Sequence, residues 1–283
     1  MSRCESNVES MIVPELVGVS GTISERLASW RTYEGDHDLH GVDVDSWPAS
    51  AVPRGIQITE IGFSNPCARY AEVAFTMGER DVRARLIEPM GSCRPAERVP
   101  LCLMFHDVDR PVRGWHHMTR FAAMGFAVLA LDDEPISASG LAEGLSSTAF
   151  AERATWGLAL ARVARELPGV DSDRLFAWGE GLGGGIALAV AALDERGFAC
   201  TALDNPLPGG LEALAPRVRG SVLMGTSLMD TLSDPKGQFA VFNGLGCDRR
   251  HIVYAKYAHE RINAFENEVV DFFDSTFYPC PVA

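Results

Sequence analysis

Residues 173–190, Asp-Arg-Leu-Phe-Ala-Trp-Gly-Glu-Gly-Leu-Gly-Gly-Gly-Ile-Ala-Leu-Ala-Val, constrain this chain more than any other segment. An apolar run, Leu175–Trp178, meets a glycine-rich turn and continues into a stretch of helix formers, so it reads as strand, tight turn and helix. Two chemistries use such a turn. In the pattern G-x-S-x-G the central residue offers a nucleophilic hydroxyl, but here that position is Gly181. Without a hydroxyl no acyl-enzyme can form there. The same residues also satisfy G-x-G-x-x-G through Gly179, Gly181 and Gly184, with Asp204 following about 20 residues later. In that pattern glycines admit a pyrophosphate to the helix N-terminus and the acid binds a ribose hydroxyl.

The downstream sequence favours the first pattern. Ser221-Val-Leu-Met-Gly-Thr-Ser-Leu-Met-Asp230 reads as a buried strand leading to an acid, and Arg250-His-Ile-Val-Tyr-Ala-Lys-Tyr-Ala-His259 as a strand ending in a histidine. Nucleophile position, acid and histidine in that chain order are the order of α/β-hydrolases. A dinucleotide-binding loop has no use for Asp230 or His259 and belongs after the first strand of its sheet, whereas several strands precede this one.

At the level of family, the chain resembles the acetyl xylan esterases and cephalosporin C deacetylases, carbohydrate esterase family seven, from about Pro14 to Phe273. The resemblance is carried by Pro100-Leu-Cys-Leu-Met-Phe-His-Asp107, Gly169-Val-Asp-Ser-Asp-Arg-Leu175, the glycines Gly183–Gly185, and Val222-Leu-Met with Leu228-Met-Asp230. Phe239-Ala-Val-Phe-Asn243 and Tyr257-Ala-His259-Glu260 add to it. It implies an α/β-hydrolase fold, with Asp230 and His259 as the remainder of a catalytic triad and the backbone N–H groups of Val108 and Leu182 as the oxyanion hole. His106, Asp107 and Glu180 are then expected to line the pocket.

Set against that family, the departures fall on the chemistry. Gly181 stands for the serine, Leu182 for a glutamine, and Asp107-Val108 for a Gly-Tyr pair. Backbone donors survive such changes, but a carboxylate at residue 107 opposes a developing oxyanion. The links after Leu131 and after Pro206 are also shorter than the family's, which implies a reduced cap and a shallower, wetter pocket. The expected protein is therefore a degenerate acetyl-ester hydrolase, inactive or very weak, serving in binding or regulation. An active hydrolase or lyase using the His259–Asp230 dyad as general base is one alternative, and a dinucleotide-binding protein using Gly179, Gly181 and Gly184 is another. The implied ligand is a small acetylated sugar or ester, and a homo-oligomer is compatible with the family.

Charge and composition restrict the partners. The 283 residues carry a formal charge of −13 with lysine only at 236 and 256, so nucleic acid and anionic membranes are poor partners. Arginine supplies the remaining positive charge, a usage associated with GC-rich bacteria. The first residues have no apolar core of a signal sequence, and a cytoplasmic location is expected. Seven dispersed cysteines (Cys4, Cys67, Cys93, Cys102, Cys200, Cys247 and Cys280) with no C-x-x-C pair read as reduced thiols. No cofactor or metal is indicated; His116 and His117, adjacent on an expected helix, point about 100° apart. Asp132 and Asp133 end a strand and either line the pocket or face solvent.

In outline, residues 1–53 read as an acidic leader with one helix, Ile23–Arg31, started by Thr22 and Glu25. Residues 54–283 read as the α/β-hydrolase domain. Three antiparallel strands near Ile56–Phe63, Tyr70–Thr76 and Val82–Glu88 precede alternating strands and helices, which predict a mainly parallel sheet covered on both faces.

Overall fold

The computed structural model describes residues 21–35, 42–141 and 143–278. The first 20 residues of the expected leader, with Cys4, and also Cys280, lie outside them. The helices are α1 (Gly21–Trp30), α2 (Trp47–Ser50), α3 (Trp115–Ala123), α4 (Thr148–Glu166), α5 (Leu182–Leu193), α6 (Pro235–Gly244) and α7 (Asn263–Phe277). The strands are β1 (Arg54–Ile61), β2 (Ala68–Met77), β3 (Arg80–Pro89), β4 (Val99–Phe105), β5 (Ala127–Leu131), β6 (Val170–Glu180), β7 (Cys200–Asp204), β8 (Ser221–Ser227) and β9 (Arg249–Tyr254).

All nine strands form one sheet in the order β1-β2-β3-β5-β4-β6-β7-β8-β9. β1, β2 and β3 are antiparallel, β3 meets β5 antiparallel, and β5 through β9 run parallel. The alternation of strands and helices dictates this, because parallel neighbours need a crossover that returns the chain to the same edge.

Period two along each strand divides the core between the faces. Leu101, Leu103 and Phe105 of β4 pack with Leu160 of α4 and Ile186 of α5. Cys102 and Met104 pack with Phe121 of α3 and Phe273 of α7 on the other face. Strands buried on both sides read as continuous apolar runs, and β4, β5 and β7 are buried at every position. Among the described residues no helix is long and apolar enough to cross a membrane.

The helix starts follow from local chemistry. Ser147 caps α4 by accepting from Phe150 N, and Asp234 caps α6 by accepting from Lys236 N ahead of Pro235. The sequence placed β6 at Leu175–Trp178, whereas it begins at Val170 and extends through Glu180. β9 ends at Tyr254, so His259 lies in the loop beyond it rather than at the strand's end.

Residues 44–51 belong to the main core. Val44, Trp47 and Ala51 are buried within it, and the Trp47 ring meets Phe150 edge-on at 6.1 Å. Farther upstream, α1 is tied to α6 by Asn243, whose Nδ2 donates to the carbonyls of Trp30 and Tyr33 at 2.8 and 2.7 Å. The short links after β5 and β7 also turn inward, burying Leu141, Leu145, Leu211 and Leu214.

Candidate active site

The C-terminal ends of β4, β6, β7 and β8 converge where the glycine turn lies. Gly181 has φ 51° and ψ −116°, a conformation that disfavours any residue with a Cβ. Its N–H donates to the Asp204 carbonyl at 2.8 Å, and its own carbonyl accepts from Gly185 N at 3.1 Å and Leu207 N at 2.9 Å. The strand therefore turns at once into α5, with the first amide of the helix free to meet an acceptor.

That acceptor is Asp107. Its Oδ1 receives Val108 N–H at 2.8 Å and Leu182 N–H at 3.0 Å. Its Oδ2 lies 3.0 Å from His259 Nε2 and 3.9 Å from Arg110. A Cβ built on Gly181 would fall 1.7 Å from Asp107 Oδ1 and 2.3 Å from Cγ. The carboxylate thus occupies the room where a side chain at residue 181 would begin.

His259 is held from both sides. Nδ1 donates to Asp230 Oδ2 at 2.7 Å, and Nε2 donates to Asp107. Two carboxylate acceptors require a proton on each ring nitrogen. Burial opposes that charge, but hydrogen bonds and attraction from Asp107 and Asp230 prevail and raise the His259 pKa to about 9. The raised value favours the protonated ring at its place between the two side chains. Asp230 is fixed in turn by Leu232 N and Ser233 N, each donating to Oδ1 at 2.8 Å. It is both a turn-former and the partner of His259.

The wall beside this chain is a network of ions, buried at Glu180, Arg113 and Glu266. Glu180 pairs with Arg113 and, at 3.2 Å, with Arg261; Arg113 also pairs with Glu266, which Arg120 reaches at 2.9 Å. The remaining free space, bounded by Asp107, Arg110, Gly181, Asn205, His259 and Arg261 among others, is about 10 Å³, the lower limit for one water. The expectation of a wet pocket is corrected accordingly: side chains fill it, with Asp107, Arg110 and Arg261 closing the gap.

Asp204 also borders this space. Burial pushes its pKa well above the ordinary carboxylate range, and the charges of Glu180 and Asp107 add to the effect. Asn205 Nδ2 donates to it at 3.1 Å and to Ser227 Oγ at 3.1 Å.

Several expected pocket residues lie elsewhere. His106 does not border the free space: Nε2 faces Asp133 at 2.7 Å and Nδ1 donates to the Asp107 carbonyl at 3.1 Å. Nor do Asp132 and Asp133, which are bound to Arg85 at 2.8 Å and Arg153 at 3.0 Å. His117 packs on Trp178, and burial together with Arg113 lowers its pKa to about 4. Sequence reasoning missed Arg110, Arg113 and Arg261, since nothing local marks an arginine as a wall; the nearness of Arg261 to His259 was the one available signal.

The dinucleotide alternative has no room. A Cβ at Gly179, Gly183 or Gly185 would fall 1.9, 2.2 or 1.6 Å from a backbone carbonyl oxygen, so these glycines serve strand–helix packing. The helix N-terminus that would meet a pyrophosphate already holds Asp107.

The nine-stranded, mainly parallel sheet covered on both faces, with a glycine turn between β6 and α5, has the α/β-hydrolase fold. Residues 139–207 and 210–276 match the sequence model of the acetyl xylan esterase family (AXE1), just under half of the chain. By structure the chain is similar to acetyl xylan esterase 1 from a Thermoanaerobacterium species, with a TM-score of 0.75 and 22% identity over 89% of this chain and 98% of that one. An acetyl xylan esterase from a Paenibacillus species gives 0.75 and 18% over 88% and 99%. The quorum-quenching protein AidA of Acinetobacter baumannii is 31% identical over 173 residues, which are 53% of this chain and 55% of that protein. The chain thus matches about half the length of that curated relative.

Proposed function

We propose that this protein is a silenced acetyl-ester hydrolase that has kept the fold and the acid–histidine pair but acts as a binding or regulatory protein. One observation carries the reading: the Asp107 carboxylate holds both backbone donors and the histidine at once. Gly181 supplies no nucleophile. The N–H groups of Val108 and Leu182, which would stabilise a substrate oxyanion, are saturated by an internal anion. His259, protonated at neutral pH, has no lone pair with which to accept a proton from water. These three facts also weigh against the dyad acting as general base in the resting protein.

The test is p-nitrophenyl acetate hydrolysis by the intact protein and by His259→Ala, together with labelling by a serine-directed phosphonate. Rates equal to buffer in both proteins, with no phosphonate adduct, are expected. A wild-type rate that falls at least tenfold in His259→Ala, or stoichiometric labelling of a serine, would overturn the silenced reading.

A further inference from the structure

Two thiols that take no part in the site beside Asp107 meet at the open end of a hairpin. β2 and β3 pair antiparallel from Met77 and Arg80 at the turn to Ala68 and Pro89 at the open end. The ladder continues one residue farther, because Met90 N donates to the Cys67 carbonyl at 2.8 Å. There the chain doubles back through the 3₁₀ turn Gly91–Cys93, which is closed by Cys93 N donating to the Met90 carbonyl at 3.0 Å. Cys93 is thereby returned to the residue that Cys67 faces, and the side chains touch: the Cys67 S–H donates to Cys93 Sγ. Cys67 is held from its other side as well, by its own N–H donating to Asn65 Oδ1 at 2.8 Å. Both thiols are partly exposed, so a small reagent reaches them. We infer that Cys67 and Cys93 form a redox site, a dithiol that hydroperoxides oxidise to an intramolecular disulfide closing the hairpin.

The contact between the thiols sets the order of events. It keeps the proton on Cys67, whose pKa it raises above the ordinary thiol value, and leaves the attack to Cys93. Cys93 Sγ bonds to the terminal oxygen of the hydroperoxide and the O–O bond breaks. The alkoxide departs with the proton that Cys93 gives up, as an alcohol. The sulfenic acid so formed on Cys93 lies against Cys67. Cys67 Sγ then attacks Cys93 Sγ, the S–O bond breaks, and hydroxide leaves with the Cys67 proton as water. The two thiols are oxidised by two electrons, and one hydroperoxide is reduced to one alcohol and one water. A small dithiol reverses the change by exchange.

The buried cysteines have no such arrangement. Cys102 and Cys200 flank Phe176 in the sheet, one on each neighbouring strand. Two strand spacings, about 10 Å, separate them, which is beyond the reach of a disulfide. Burial also pushes the Cys200 thiol up to about 12, so it does not meet an oxidant as a thiolate.

A bond between Cys67 and Cys93 joins the ends of the hairpin that ties the edge strand β1 to the rest of the sheet. It restricts the unfolded chain more than the folded one, so the oxidised protein is harder to unfold. Neither cysteine borders the space beside Asp107, and the inference does not rest on the silenced reading.

The experiment uses the full chain, reduced and freed of thiol, with hydrogen peroxide in slight molar excess. Trypsin digestion without reduction should yield residues 55–69 linked to residues 86–98, lighter than the two peptides together by a pair of hydrogens. The urea midpoint should rise by about 0.5–1 M and return with dithiothreitol. Cys67→Ser, which lacks the second thiol, should instead carry a sulfenic acid on Cys93 that dimedone traps at least tenfold more than in wild type. Disulfides that join other cysteines in preference, chains linked to one another, or a midpoint unmoved once Cys67 and Cys93 are joined would overturn the inference.

Discussion

Placing a serine at residue 181 should damage the protein unless Asp107 is removed as well. At φ 51° a residue with a Cβ costs about 1–3 kcal/mol of backbone strain. Its Cβ would also begin 1.7 Å from Asp107 Oδ1, a distance at which the carboxylate must leave. Three charge-assisted hydrogen bonds go with it, to Val108 N, Leu182 N and His259. Partial solvation of the expelled group reduces that loss to about 3 kcal/mol. Gly181→Ser alone should therefore lose about 4–6 kcal/mol.

Asp107→Gly alone loses the same three bonds and should cost about 3 kcal/mol. In the double variant the expulsion is counted only once, so its loss stays near about 4–6 kcal/mol instead of the additive sum of about 7–9, a coupling of about 3 kcal/mol. Urea unfolding followed by tryptophan fluorescence for the four proteins measures it. The double variant also has a hydroxyl near His259 and a vacant donor pair, so it alone should hydrolyse p-nitrophenyl acetate. Additivity within about 0.5 kcal/mol, or equal activity in the single Gly181→Ser variant, would show that Asp107 does not sit over the turn.

Two further predictions concern stability. The folded-state pKa of His259, about 9, is raised above its ordinary 6.5, so its contribution is complete below about pH 6.5 and fades as pH rises through about 9. Between about pH 6 and pH 9.5 wild type should lose about 1–2 kcal/mol from this group after allowance for the solvent that reaches the ring, and His259→Gln should lack that drop; parallel urea curves for the two proteins would disprove the cationic ring. Trp47→Ala should cost about 3–5 kcal/mol by leaving a cavity against Phe150, and a loss under about 1 kcal/mol in thermal melts would mean that residues 44–51 are not part of the core.

The sheet was legible in the sequence because strands buried on both faces leave continuous apolar runs, as in Leu101–Phe105 and Ala127–Leu131. α2 was not, since four residues in a polar surrounding show no periodicity, and the burial of Trp47 depends on Phe150 about 100 residues away in the chain. At the site, chain order singled out Gly181, Asp230 and His259, while the side chain of Asp107 was expected only nearby. Its hydrogen bonds depend on two amides 74 residues apart that meet through the β4–β6 pairing, which no local pattern encodes. The arginines at the wall were illegible for the same reason: Arg113, Glu180 and Glu266 come from a loop, a strand and a helix far apart in the chain.

The overlap between Asp107 and the missing side chain of residue 181 also restricts the order in which such a site can arise. An aspartate arriving while residue 181 still carried a serine would be forced out of the cage, paired with nothing, and the fold would bear the strain of both. A glycine arriving first leaves a hollow with two idle amides, which water can fill at little cost. Any lineage leading from a working esterase to this arrangement therefore passes more easily through a defunct, water-filled intermediate than through an aspartate–serine one. Once Asp107 has settled in, a serine at residue 181 is selected against by stability before activity is ever tested.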